Sequence, residues 1–237
     1  VDGVANGTML NHILLGAGYT TEALMARLNQ GGFFEQGSPY THYSQYRGTQ
    51  GNMDVYESTA LMLHKRMKEM LNNFKGTPAA AQIASIWAIS GELFTAEKGV
   101  TKDGRDLVKG ALNPLAFGSS MDRIKEGMAD TFIESIYAGF EKLAKKGASQ
   151  AEVDAYVANV NTLIDRQGFK IQTGQPISWH MARPLHPGAV SYIQTVFTNT
   201  VGEATVGVVE EEFGAFLEQR DTLNNVSQAT HSLYDSV

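Results

Sequence analysis

The sequence predicts an α+β chain, mainly α, with a small late β component. Apolar residues recur at helical spacing through most of the first 167 positions, and Gly, Pro and capping residues punctuate those runs. Beyond Gly168 the pattern turns to alternation. With 237 residues and 43% hydrophobic content, the chain can build a sizeable core as one large domain or two small ones. It contains no apolar run of about eighteen residues and no basic region followed by an apolar stretch, so neither a membrane span nor a signal peptide is indicated. The absence of cysteine excludes disulfides and thiolate metal sites and fits a reducing compartment.

Thr8 to Ala17 reads as a first helix, stopped at Gly16-Ala17-Gly18, and Thr20 or Thr21 caps a second over Glu22 to Asn29. The segment from Gly31 to Gly51 is rich in Gly, Ser, Thr, Gln and Tyr and is expected to be a loop. Its rings, Phe33, Phe34, Tyr40, Tyr43 and Tyr46 near Arg47, suit packing against the body, the commoner role, or stacking on bases. Met53 to Phe74 is an amphipathic helix with Leu63, Met67, Met70, Leu71 and Phe74 on one face. Gly76-Thr77-Pro78 ends it and opens Ala79 to Phe94, which is apolar nearly all round and is expected to be buried, Trp87 included. Met121, Ile124, Met128, Phe132, Ile136, Phe140 and Leu143 mark a long helix. Ser149-Gln150-Ala151-Glu152 is a capping box ahead of Val153, Tyr156, Val157, Val160, Leu163 and Ile164. Strands are expected at Phe169 to Thr173 and Val190 to Thr198, either side of a loop holding Pro184 and Pro187.

Between those helices runs Arg105-Asp106-Leu107-Val108-Lys109-Gly110-Ala111-Leu112-Asn113-Pro114-Leu115-Ala116-Phe117-Gly118-Ser119. Residues four apart share a helix face, so Arg105 and Lys109 can reach one polyanion, with Phe117 two turns further along that side. Arg can bridge two phosphate oxygens, Lys can act as a point charge or proton donor, and a ring can stack near a base. By spacing alone the pair equally describes a solvated helix with basic edges, the commoner arrangement. Pro114 should bend the helix or break one hydrogen bond. The chain opens with Val1-Asp2-Gly3-Val4-Ala5-Asn6-Gly7, a carboxylate beside two glycines before an apolar run, and Asp54-Val55-Tyr56 begins the helix between the two segments.

Taken together and in this order, these segments resemble motifs A and B of the single-subunit RNA polymerases of bacteriophages and mitochondria. The family pattern is Asp-Gly-x-x-(Ser/Asn)-Gly, then about a hundred residues later the Arg/Lys/Tyr-Gly helix, with an Asp-(Ile/Val)-Tyr step between. This chain has Phe117 where the family commonly has Tyr. The resemblance implies the fingers and partial palm of a right-hand polymerase: a palm segment with motif A over 1–30, a mainly helical fingers region with motif B over 31–167, and a β-containing segment returning towards the palm over 168–237. The motif A to motif B spacing and the long helices look closer to the virion-packaged phage enzymes than to the mitochondrial ones. A catalytic Asp at the second residue leaves no room for the strand that should deliver it, so the chain is expected to be an excerpt, inactive alone.

The resemblance also assigns roles. Asp2 would be one of two carboxylates holding two Mg2+ ions, with the Gly3 carbonyl as a further ligand. Arg105 and Lys109 would bind the triphosphate, Lys109 also as general acid, while Phe117, Gly118, Gly7 and Tyr56 complete the substrate contacts. Gly7 stands where family A DNA polymerases carry a Glu that excludes the ribose 2′-hydroxyl, which favours ribonucleotides. Phe117 lacks the phenolic hydroxyl linked to ribose selection and pulls the other way. At the end of the chain, Tyr234-Asp235-Ser236 fits motif C, with Asp235 the second metal ligand, or His231-Ser232 fits the family's earlier His-Ser-x-Asp element, with Asp235 displaced by one residue; the polar run from Gln228 to Ser232 favours the latter, under which the second catalytic Asp is expected outside this excerpt. The implied partners are a DNA template, nascent RNA, nucleoside triphosphates and the remaining polymerase domains, with no membrane. The implied location is the host cytoplasm or a virion.

The net charge of −6 runs against the simplest nucleic-acid signature, but basic stretches at His64 to Lys68, at Lys98, Lys102, Arg105 and Lys109, and at Arg123 and Lys125 allow a local basic groove. His180 and His186, six apart, would bind zinc only with further ligands; surface or capping roles are the plainer expectation. Two rivals remain open. Phe117 suggests a family A-like DNA polymerase, opposed by Gly3, Asn6 and Gly7. The acidic total and the apolar helices suit a non-enzymatic helical virion or structural protein.

Overall fold

The computed structural model describes residues 55–91, 93–95, 99–116, 119–211 and 217. The chain divides into two units, one drawn from Val1–Thr59, Leu112–Ser120 and Gly207–Val237, the other from Ala60–Ala111 and Met121–Val206. In the first, Tyr56, Ser58, Thr59, Leu112, Leu115, Val208, Val209 and Leu217 are buried. The second is an assembly of helices around one long member.

Among the described residues, three helices and a hairpin precede that member. α1 (Val55–Asn73) buries Leu63 and Met67 as its spacing predicts, while Phe74 lies past its end and is 44% exposed. α2 (Pro78–Ser90) starts where expected: Thr77 accepts from the Ala80 amide and Pro78 occupies the first turn, where its missing N–H costs nothing. Gly91, at φ 76°, ends it short of the expected Phe94, because the chain turns there into β1 (Phe94–Thr95). β1 pairs antiparallel with β2 (Gly99–Val100), Phe94 opposite Val100. α2 is also less buried than its composition suggests: Ile83, Ser85 and Ile86 are covered, Trp87 is half-buried and Ala81, Ala84 and Ala88 face solvent. Alanine tolerates either environment, so an Ala-rich run does not define a face.

After α3 (Lys102–Ala116), α4 (Met121–Lys146) extends for 26 residues, about 39 Å. Ile124, Met128, Phe132, Ile136 and Phe140 form its buried stripe, and α2, α5 (Gln150–Thr162), α6 (Ile177–Ala182) and α7 (Pro187–Phe197) all pack on it. α5 opens with the expected capping box. Ser149 Oγ accepts from the Glu152 amide at 3.4 Å, and Glu152 accepts from the Ser149 amide at 2.8 Å. Lys146 donates to the same carboxylate at 2.7 Å, and with the Ser149 contacts it holds Glu152 down at about 2. Because the folded-state pKa lies below the unfolded value, this carboxylate's contribution is complete above pH about 4.5 and is lost as pH falls towards 2. A Glu152→Gln variant should therefore show a flatter acid limb in its unfolding midpoint than the parent, measured by circular dichroism from pH 6 down to pH about 2.

The mainly helical expectation holds, but the late strands are corrected. Val190 to Thr198 lies in α7 and the π-helical turn that follows (Thr198–Gly202), and residues 203–211 continue as helix. Ala189, Ile193 and Phe197, four apart, are fully buried; His186 caps the helix by accepting from the Gly188 amide at 3.0 Å, and Pro187 sits in its first turn. The alternation of β-branched and polar residues coexisted with this helical period, and the cap decides between them. Phe169 to Thr173 begins in a 3-10 turn (Gln167–Phe169) and forms no strand. Asn161 stands in for a neighbouring strand: its side chain accepts from the Ile171 amide at 2.7 Å and donates to the Ile171 carbonyl at 2.8 Å. The described part of 168–237 is thus helical, and the β component among the described residues is the early hairpin.

Candidate functional site

α3 is the element that carries the phosphate-binding candidates. Its start is fixed by Thr101, whose Oγ1 accepts from the Gly104 amide at 3.0 Å, and whose own amide reaches the Leu93 carbonyl at 3.1 Å. Gly104 lies against that carbonyl. A Cβ there would come within 2.7 Å of the Leu93 Cα and 2.8 Å of its carbonyl carbon, contacts that only a backbone shift could relieve. Gly104→Ala should destabilise this unit by about 1–3 kcal/mol, seen as a lowered urea midpoint with an unchanged slope.

Leu107, Val108, Ala111, Leu112 and Leu115 are buried, which fixes the rotation of the helix. A stripe bordering this buried face holds Arg105, half-buried, Lys109, exposed, and Asn113, exposed, each one turn from the next. Lys109 makes no ion pair with any carboxylate among the described residues. The other flank is acidic. A cleft of about 320 Å³ between α3 and α4 is lined by Asp103, Asp106 and Glu134, and its Lys142 is paired with Asp103 at 3.3 Å. The carboxylates make this cleft unfavourable for a polyanion.

Pro114 sits inside the helix, as expected, and removes the hydrogen bond that the Gly110 carbonyl would have received. Near it, the Tyr56 hydroxyl donates to Asn113 Oδ1 at 2.9 Å. Tyr56 is 3% exposed, so what it offers is a positioning contact on this helix. Asn113 was not among the sequence candidates, although its place eight residues after Arg105 puts it on the same stripe. Asp2, Gly3, Gly7, Phe117, Gly118, His231 and Asp235 lie outside the described residues.

Of the basic stretches, Lys65, Arg66 and Lys68 are exposed, whereas His64 is buried against Trp87, ring centroids 4.8 Å apart. Lys125 is committed to Glu203 at 2.7 Å and Asp122 at 3.0 Å, and these carboxylates raise its pKa. It is no part of a free basic groove. His186 caps α7, as a capping role requires, but His180 is buried and not a surface group. Among the described residues no group of three or more His, Cys, Asp or Glu could hold a metal ion, and no helix is long and apolar enough to cross a membrane.

A family model described as the helical domain of the bacteriophage N4 RNA polymerase matches residues 62–237. The match takes in all of α3 and the positions of Phe117, Gly118, His231 and Asp235, while Asp2, Gly3, Gly7 and Tyr56 precede it. No curated protein and no solved structure matches the chain. Covering most of the sequence, the match supports the resemblance to the phage-type single-subunit RNA polymerases, and the chain belongs to the family of the bacteriophage N4 RNA polymerase helical domain.

Proposed function

We propose that this chain forms the fingers and part of the palm of a DNA-directed RNA polymerase, and that α3 binds the incoming nucleoside triphosphate. The observation that carries the proposal is the rotation of α3. Its buried face sets Arg105 and Lys109 one turn apart on one stripe. Arg105 holds phosphate oxygens through its planar fork, and Lys109 places a compact charge at the leaving pyrophosphate and gives it a proton. Tyr56 and Asn113 fix the end of the stripe nearest Phe117, whose ring stacks beside the base, and Gly118 lets a template base approach the backbone. Gly7 leaves room for the ribose 2′-hydroxyl.

Asp2, the Gly3 carbonyl and Asp235 are hard oxygen donors of the kind Mg2+ takes, and they would hold the two ions. When bound, such ions activate the attacking hydroxyl and stabilise the leaving oxygen. Partners on this reading are the DNA template, nascent RNA, nucleoside triphosphates and the other polymerase domains, and the enzyme works in the host cytoplasm or from a virion. The test is single-nucleotide addition to an RNA primer on a DNA template by the polymerase that contains this chain. Addition of ribonucleotides, with slower but measurable use of deoxynucleotides because Phe117 lacks a hydroxyl, is expected. Exclusive use of deoxynucleotides, or no templated addition, overturns the proposal.

A further inference from the structure

A second cleft, of about 250 Å³, lies elsewhere on the larger unit and shares no residue with α3. Tyr137 and Phe140 of α4 line it, together with Phe169 to Gln172, Trp179 and His180 of α6, and Arg183 to His186 after it. Its volume falls below the roughly 300–1,000 Å³ of pockets that take drug-sized ligands, and suits one small planar group. Its charge is opposite to that of the acidic cleft. In a chain with net charge −6, no carboxylate lines it, while Lys170 and Arg183 do.

The cations stand among rings. The Arg183 guanidinium lies 4.6 Å from the centre of Trp179 and the Arg166 guanidinium 4.8 Å from that of Phe169, which in turn stacks on His186 at 4.4 Å and 15°. Gly188 is needed for this stack, since a Cβ there would collide with the Phe169 ring. The loop is held firmly. The Leu185 amide donates to the Tyr137 hydroxyl at 3.0 Å, and the Gly174 amide to Asp154 at 2.7 Å.

One polar group in the wall is unsatisfied. His180 is 3% exposed, stacked on Phe140 at 5.3 Å and 8°, and neither ring nitrogen has a hydrogen-bond partner within the protein. Burial lowers its pKa, against the opposing pull of the Gln175 carbonyl, which is outside hydrogen-bonding geometry, and of Asp154. A neutral imidazole offers one N–H and one lone pair, and the edge of a nucleobase presents acceptors and donors side by side.

We infer that this cleft takes one unpaired base of a single-stranded nucleic acid, with Arg166, Lys170 and Arg183 holding the flanking phosphates. Phe169 and Phe140 are already engaged by His186, Arg166 and His180, so Trp179 is the ring that gives sequence-tolerant stacking, and the cations give salt-dependent affinity. A duplex cannot use the cleft, because its bases are already stacked inward.

The chain's two tryptophans allow a direct test. In a Trp87→Phe background of the full chain, Trp179 becomes the sole fluorescent indole, and it lines the cleft. Oligothymidylate and oligouridylate of about 12 nucleotides, and a duplex of the same length, are titrated in from about 50 to about 200 mM salt. Saturable Trp179 quenching by single strands only, at the midpoint seen by anisotropy of the labelled strand, is expected. Whether DNA or RNA binds tighter identifies the natural strand. Arg183→Gln and Arg166→Gln, both at exposed positions, should each weaken binding about tenfold and reduce the logarithmic salt slope by about 0.7. The Arg105→Ala/Lys109→Ala double variant should keep the quench, which separates this site from the triphosphate site. Strand binding without quenching, equal quenching by duplex, unchanged affinity in both Arg variants, or loss of the quench in the α3 double variant overturns the inference.

Discussion

Replacing Lys109 with Ala is expected to lower the kcat of RNA synthesis about 10²- to 10⁴-fold, the usual cost of removing a positioned proton donor. Lys109 is exposed on α3 and makes no ion pair with a described carboxylate, so folding should shift by no more than about 0.5 kcal/mol. Arg105→Ala should act differently. A guanidinium that binds phosphate before and during the reaction contributes to ground-state affinity, so KM should rise about 10- to 100-fold with a smaller change in kcat. On the proposed reading, in which both cations bind one triphosphate, the double variant should lose less than the product of the single losses. Steady-state kinetics on a fixed primer and template measure all three. A Lys109→Ala enzyme within about threefold of the parent would remove Lys109 from the chemistry.

Phe132→Ala is expected to cost about 3–5 kcal/mol of folding free energy. Phe132 is the centre of the α4 stripe, 1% exposed, and its ring stacks on Phe197 at 4.8 Å and 25°. Truncation removes the buried ring, opens a cavity between α4 and α7 and unpairs Phe197. For a unit of this size the thermal midpoint should drop on the order of 10 °C. Calorimetry of the parent and variant chains checks this. A drop of only 1 or 2 °C, about what a surface substitution gives, would mean that α4 and α7 do not share a core.

The elements that were legible in the sequence are those whose signals are local. Thr77-Pro78 and the Ser149 to Glu152 box are caps that act within one turn, and the five apolar residues of α4 recur every four positions, so each could be placed before any tertiary contact was known. α7 misled because Val190, Tyr192 and Val196 alternate with polar residues while Ala189, Ile193 and Phe197 keep a helical period; the cap at His186 and Pro187 favoured the helix. At 169–173 the deciding partner was Asn161, a side chain from α5 that occupies both hydrogen-bonding groups of Ile171.

The candidate site divides in the same way. Arg105 and Lys109 were legible because a helix face follows from spacing alone. The Tyr56 to Asn113 contact joins positions 57 apart, and nothing local announces it. The cleft around His180 was likewise hidden, because it gathers residues from α4, the 3-10 turn, α6 and the loop before α7.

Affinity labelling tests the role of α3 most directly. The polymerase is treated with an adenosine polyphosphopyridoxal, whose aldehyde sits at the phosphate end and condenses with lysine amines there, then reduced and mapped by mass spectrometry. The account predicts that Lys109 is the principal modified residue and that excess ATP protects it. Labelling spread over the exposed Lys142, Lys145 and Lys146 of α4, with Lys109 untouched and no protection by ATP, would contradict it.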